Sequence, residues 1–131
     1  MSENFPTGEI AIRTVAMPSD ANPAGDIFGG WIVGQMDVAS GYSALRRAQG
    51  RVVTVAIDAM VFHQPVFIGD ELTIYTTLLK VGHTSLSYHV EAWARRRAQV
   101  EPVQVTEGKF TFVAIDENRR PRPVPPAPEG I

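Results

Sequence analysis

Asp37 is the single ionisable residue in the run Gly29-Gly-Trp-Ile-Val-Gly-Gln-Met-Asp-Val-Ala-Ser-Gly41. The desolvation of an unpartnered carboxylate in a buried helix costs several kcal/mol, so such a residue needs a reason to be there. Work as a general base or a nucleophile is one reason. Asn22 stands in the turn just before this run, and the run opens at the pair Gly29-Gly30. The first N–H groups of a helix have no partner inside it and point at a region of positive potential. One carboxylate, one amide and one helix start could therefore polarise a carbonyl, receive its negative charge and activate an attacking oxygen. The structural alternatives are a hydrogen-bonded aspartate on the surface and an asparagine that only shapes its own turn.

Helix geometry bears on how such a site is built. Gly30 and Asp37 share a face but lie about 10.5 Å apart along the axis, at ~1.5 Å per residue. A reacting carbon must sit within about 3–3.5 Å of its nucleophile, with the oxyanion donor also in reach. One helix is poorly placed to supply both. Two antiparallel helices in a two-fold dimer would bring Asp37 of one chain beside the Asn22–Gly30 segment of the other.

The elements that must hold these residues follow from the change of period along the chain. Phe28 to about Gln49 is the one good helix, with Trp31, Gln35, Val38, Tyr42 and Leu45 spaced at threes and fours. Ile32, Met36, Ala39 and Ser43 fill a second face, so the helix reads as apolar over most of its circumference and enclosed. Arg46 and Arg47 suit its C-terminal dipole, and Gly50 is the expected stop. Glu9 to Val15 precedes it as a short strand, with a polar loop from Met17 to Asp26 between the two. After Gly50 the period becomes two. Val52 to Phe62, Glu71 to Val81, Thr84 to Arg97 and Val103 to Ile115 read as antiparallel strands. Leu86, Tyr88, Val90, Ala92 and Ala94 face one way; Ser87, His89, Glu91 and Arg95 face the other. Asp58 shares a strand face with Thr54 and Met60 in a strict alternation. Residues 1-118 form one α+β domain in which a curled sheet wraps a helix, and 119-131 a proline-rich extended or disordered tail.

Composition narrows the options. The chain has 131 residues, 44% hydrophobic and 20% charged, which suits one globular domain. A net charge of −2 offers no field for nucleic acid or an anionic membrane. The absence of cysteine excludes thiolate nucleophiles, disulfides and Cys-ligated zinc. No apolar run is long enough to span a membrane, and Met1 to Pro6 lacks the basic and apolar regions of a signal peptide, so the cytoplasm is expected. His63, His83 and His89 lack metal-ligand spacing. The run Arg95-Arg96-Arg97 reads as a solvated strand end, or as a site for a nucleotide phosphate.

The serial order of short motifs adds a resemblance. Asn22-Pro-Ala-Gly25-Asp-Ile-Phe28-Gly29-Gly30 is followed by Met36-Asp37, then by Val53-Thr54 to Asp58-Ala-Met60. Phe62-His-Gln-Pro65, Gly69-Asp70 and Val81-Gly82-His83-Thr84-Ser85 complete the series. Together they resemble the acyl-CoA thioesterase branch of the hotdog fold, most of all its small YciA-like bacterial enzymes, over Ile10 to Pro123. His83 departs from the Lys or Arg of many relatives.

That resemblance implies hydrolysis of fatty acyl-CoA to free fatty acid and CoA. It implies no metal or separate cofactor, since CoA belongs to substrate and product. Asp37 then matches the catalytic carboxylate and Asn22 the catalytic amide, with the backbone N–H near Gly30 polarising the carbonyl. Thr54 and Gly82, His83, Thr84 and Ser85 fall in segments that meet substrate or CoA. The resemblance also implies a homo-oligomer with sites between paired domains, at least a dimer and further a trimer of dimers. A non-catalytic acyl-CoA-binding hotdog module is the alternative, and it would need neither Asn22 nor Asp37. A dehydratase would want a histidine near the helix, and none lies between Met17 and Phe62.

Overall fold

The computed structural model describes residues 6–128. Residues 1–5 and 129–131, which fall within the expected domain and tail ranges, lie outside the described residues. Five strands, β1 (Glu9–Val15), β2 (Val52–Phe62), β3 (Glu71–Val81), β4 (Ser85–Arg95) and β5 (Val103–Ala114), form one antiparallel sheet around α1 (Gly29–Ala48). The helix touches all five strands. Each element ends within two residues of the boundary expected from its period.

Spatial order departs from chain order. The sheet runs β1-β3-β4-β5-β2, so β2 pairs with β5 and leaves its other edge open. Only β3, β4 and β5 are joined as successive neighbours. The core lies between α1 and the inner sheet face, where Ile32, Met36, Ala39 and Ala44 meet Leu72, Ile74, Leu86, Val90, Phe110 and Phe112. Each fully buried side chain of this size contributes about 1.5–3 kcal/mol.

The expectation of an enclosed helix is corrected here. Within one chain the sheet covers one side of α1, and Val38 and Tyr42 are 62% and 61% exposed. The alternation expected for β2 is also corrected. Its pairing slips between Thr54 and Ala56 and again between Asp58 and Val61, with Ala59 at a φ of 53°. Thr54 opposes the inward Phe112, whereas Asp58 opposes the exposed Lys109, so the two residues face opposite sides. On β4, Glu91 sits on the outer face as expected yet is buried, accepting hydrogen bonds from Trp93 Nε1 at 2.8 Å and Thr7 Oγ1 at 3.1 Å.

The helix stops by a different device from a left-handed glycine. Gln49 takes the left-handed conformation, and Arg122 Nη2 donates to the Ala48 carbonyl at 3.0 Å. Gly50 makes room for that guanidinium, because a Cβ there would stand 2.5 Å from Arg122 Nη2. The C-terminal segment is extended and docked: Val124 N–H donates to His83 O at 2.8 Å and Arg47 Nη1 to Pro125 O at 2.6 Å.

Tyr88 carries a pH-dependent share of stability. Its hydroxyl donates to the Ser43 carbonyl at 3.2 Å. Burial pushes its pKa from 10.0 up to about 12, with nearby Arg47 opposing and Glu9 reinforcing the shift. The folded value exceeds the unfolded one, so this stabilisation is complete below pH 10 and is lost as pH rises through 12. The loss amounts to about 2–3 kcal/mol. Melting temperature against pH should therefore fall more steeply between pH 10 and 12 in the native protein than in Tyr88→Phe. Equal slopes would refute the assignment.

Candidate active site

Asp37 projects from the third turn of α1 toward β2, half-buried, and Thr54 Oγ1 donates to its Oδ1 at 2.8 Å. Its Oδ2 has no partner among the described residues, and no ion pair engages it there. The carboxylate is thus oriented by one hydroxyl with its other oxygen left to act. Thr54 reaches it because the inner face of β2 passes beside the helix, and its pairing opposite the inward Phe112 sets its face.

The Asn22 turn is held by backbone bonds and by the Asn22 side chain together. Asn22 N–H donates to Asp26 O at 2.7 Å, while Asn22 Oδ1 accepts from Ala24 N at 2.9 Å and Asp26 N at 3.1 Å. Using Oδ1 for the turn frees the Nδ2 donors to face outward. Gly30 lies in the first turn of α1, whose N–H groups have no partner within the helix, and nothing stands within 4 Å of where a Cβ would be. A Cβ on Gly29 would meet the Phe62 ring at 3.3 Å. A cavity of about 290 Å³ adjoins this helix start, lined by Ile27, Gly29, Ile32, Phe62 and the segment from His63 to Val66.

The turn of Gly82, His83, Thr84 and Ser85 is closed by a Gly82 N–H donating to Ser85 O at 2.8 Å. Ser85 pairs with Val113, which pairs with Val53, so the turn lies at the Thr54 end of the sheet. The helix start abuts Phe62, at the other end of β2. Within one chain, Asp37 and Thr54 are therefore together. Asn22 and Gly30 form one end group, and Gly82 to Ser85 lie toward the opposite end.

A larger cavity, about 610 Å³, lies on the opposite flank of α1 among Ser43, Arg46, Arg47, Thr76, Leu78 and Tyr88. None of the site residues lines it. His63 Nε2 lies 2.7 Å from Glu107 Oε2 and His89 Nε2 lies 2.9 Å from Glu91 Oε2, so both imidazoles are paired with carboxylates. No group of three His, Asp or Glu suited to a metal occurs among the described residues. No helix among them is long and apolar enough to cross a membrane.

The arginine run is corrected. Arg95 lies 3.6 Å from Glu71 at the strand end. Arg96 turns inward, its side chain only 19% exposed, and pairs with the buried Asp70. A run of three charges gives no sign that the middle one is half-buried. The Gly69-Asp70 turn was visible, but its partner 26 residues on was not.

A curled antiparallel sheet around one central helix is the hotdog fold, and here a half-buried carboxylate on the helix reaches its edge strand β2. The thioesterase superfamily model matches residues 24–101, and the chain belongs to that family. It is 53% identical over 124 residues to an uncharacterized acyl-CoA thioester hydrolase of Zymomonas mobilis, covering 95% of this chain and 83% of that one. It is 44% identical over 127 residues to the acyl-CoA thioester hydrolase YciA of Salmonella typhimurium, covering 94% and 95%. The hexameric thioesterase y2039 of Yersinia pestis superposes with a TM-score of 0.90 at 43% identity, covering 94% of this chain and all of that one.

Proposed function

We propose that this protein hydrolyses acyl-CoA thioesters to a free acid and CoA, at sites completed by a second copy of the chain. The observation that carries the reading is the Asp37 carboxylate, set by Thr54 beside an unpaired sheet edge, in a chain of the thioesterase superfamily. Its relatives named above include acyl-CoA thioester hydrolases.

The surface around Asp37 supports the second copy. Val38, Tyr42 and Leu45 on α1 and Val55, Ile57, Val61 and Phe62 on β2 are exposed apolar side chains. An open edge strand with such a flank is unstable in water and is normally covered. Two-fold pairing turns the partner's helix antiparallel, so the partner's Asn22–Gly30 end approaches Asp37 and the Gly82–Ser85 turn of this chain. The Yersinia relative is hexameric, and a hexamer contains three such dimers when built as a trimer of dimers.

In this arrangement Asp37 takes a proton from water, and the resulting hydroxide adds to the thioester carbonyl carbon. The oxyanion is received by the Gly30 N–H and the Asn22 amide across the interface. Collapse breaks the C–S bond, and the departing CoA sulfur takes the proton held by Asp37, which restores the carboxylate. Direct attack by Asp37 through an anhydride uses the same geometry. Thr54 orients the carboxylate, while Gly82, His83, Thr84 and Ser85 contact the CoA moiety. These steps run on side chains and backbone, with no separate cofactor.

The test is release of free thiol from acyl-CoAs of increasing chain length, with and without a chelator. Thiol release that is unaffected by the chelator is expected for at least one chain length. No thiol above background with any acyl-CoA would leave a non-catalytic acyl-CoA-binding module.

A further inference from the structure

Arg96 gathers the whole Pro65–Asp70 loop onto one guanidinium. Its Nη1 donates to Asp70 Oδ2 at 2.7 Å, its Nη2 to the Pro65 carbonyl at 3.0 Å, and its Cζ stands 5.0 Å from the centre of the Phe67 ring. The same Asp70 Oδ2 accepts from the Phe67 N–H at 2.9 Å. A planar fork can make these contacts at once, and a point-like ammonium cannot. The Asp70 side chain is only 6% exposed, so the pair is shielded from solvent screening.

That loop is what the Asn22 turn rests on. Ile27 N–H donates to the Val66 carbonyl at 3.0 Å, and Asp26 bridges to Phe67. Asp26 is in turn the residue whose carbonyl and N–H close the Asn22 turn. An unbroken chain of contacts thus runs from Arg96 through Pro65–Asp70 and Asp26–Ile27 to Asn22.

We infer that Arg96 is a positioning residue for the hydrolytic reaction, holding the Asn22 amide at the oxyanion site through the Pro65–Asp70 loop. The inference rests on the proposed roles of Asn22 and Asp37. Small displacements of a positioned group cost as much as ~10²-fold in rate, so loss of the fork should appear in kcat rather than in KM.

Arg96→Ala leaves a buried carboxylate unpaired and risks the fold, so the informative variant is Arg96→Lys, which keeps the charge. It should retain the native oligomer and lose about 10-fold in kcat, with KM changed by no more than about twofold. Asn22→Asp is the companion, because it keeps Oδ1 for Ala24 and Asp26 while replacing the amide donor with a carboxylate oxygen, whose negative charge opposes an oxyanion. In the Asn22→Asp background, Arg96→Lys should cost nothing further, since both changes act on one donor. An unchanged kcat in Arg96→Lys overturns the inference, and so does an equal loss in both backgrounds. Native turnover in Asn22→Asp alone would refute the role of Asn22 itself and remove the inference with it. The failure of the site reading is thus told apart from the failure of the Arg96 link.

Discussion

Asp37→Ala is expected to lower kcat by ~10³-fold or more while leaving fold and assembly intact. Removing the carboxylate that Thr54 orients takes away the proton acceptor, or the attacking oxygen, whichever route operates. Oxyanion donors without an activated nucleophile sustain little of the reaction, because the groups act as a unit. Asp37→Asn separates shape from basicity. The Thr54 hydroxyl, which donates to Asp37 Oδ1 at 2.8 Å, can donate equally to an amide oxygen, so the side chain stays oriented while its basicity is gone. That variant should be almost as slow as the alanine one. The measurement is thiol release under saturating acyl-CoA, alongside melting temperature and mass in solution. Native-like turnover in folded Asp37→Ala protein would sink the mechanism.

Mixing two inactive variants should restore activity. If Asp37 of one copy works with Asn22 and Gly30 of the other, an Asn22→Ala chain paired with an Asp37→Ala chain has one doubly defective site and one intact site. Random pairing of equal amounts makes about half the dimers mixed, so roughly a quarter of all sites should be native. Subunits must exchange, so the variants are co-expressed or refolded together, and mass spectrometry confirms that assemblies hold both chains. Recovery near a quarter of the native rate places catalysis at the interface. Mixed assemblies without recovered activity mean that each site is built within one chain. An Asn22→Ala protein that is itself active shows that Asn22 is dispensable. A mass near 14 kDa in solution for the native protein would defeat the shared site outright.

The elements of this protein are legible in its sequence because their signals are local. The apolar spacing from Trp31 to Leu45 marks the helix, and the change to period two after Gly50 marks the strands. The candidate site residues stand out in the sequence for a related reason. A carboxylate inside an otherwise uncharged helical run, an asparagine before a Gly-Gly start, and five motifs in series are all properties of neighbouring residues. Their matching to a known family needed no coordinates.

What only the tertiary structure decided involves partners far apart in the chain. The placing of β2 against β5 rests on hydrogen bonds across some fifty residues, and it creates the open edge beside Asp37. One slip in that ladder, between Thr54 and Ala56, leaves Thr54 inward and Asp58 outward, which no periodicity of two can encode. The union of Thr54 with Asp37 and of Arg96 with Asp70 depends on the same long-range geometry. Arg96 shows the limit most clearly. A charged residue in a run of charges reads as solvated because exposure is its cheapest state, and only a buried carboxylate brought to it by the fold makes the inward state favourable.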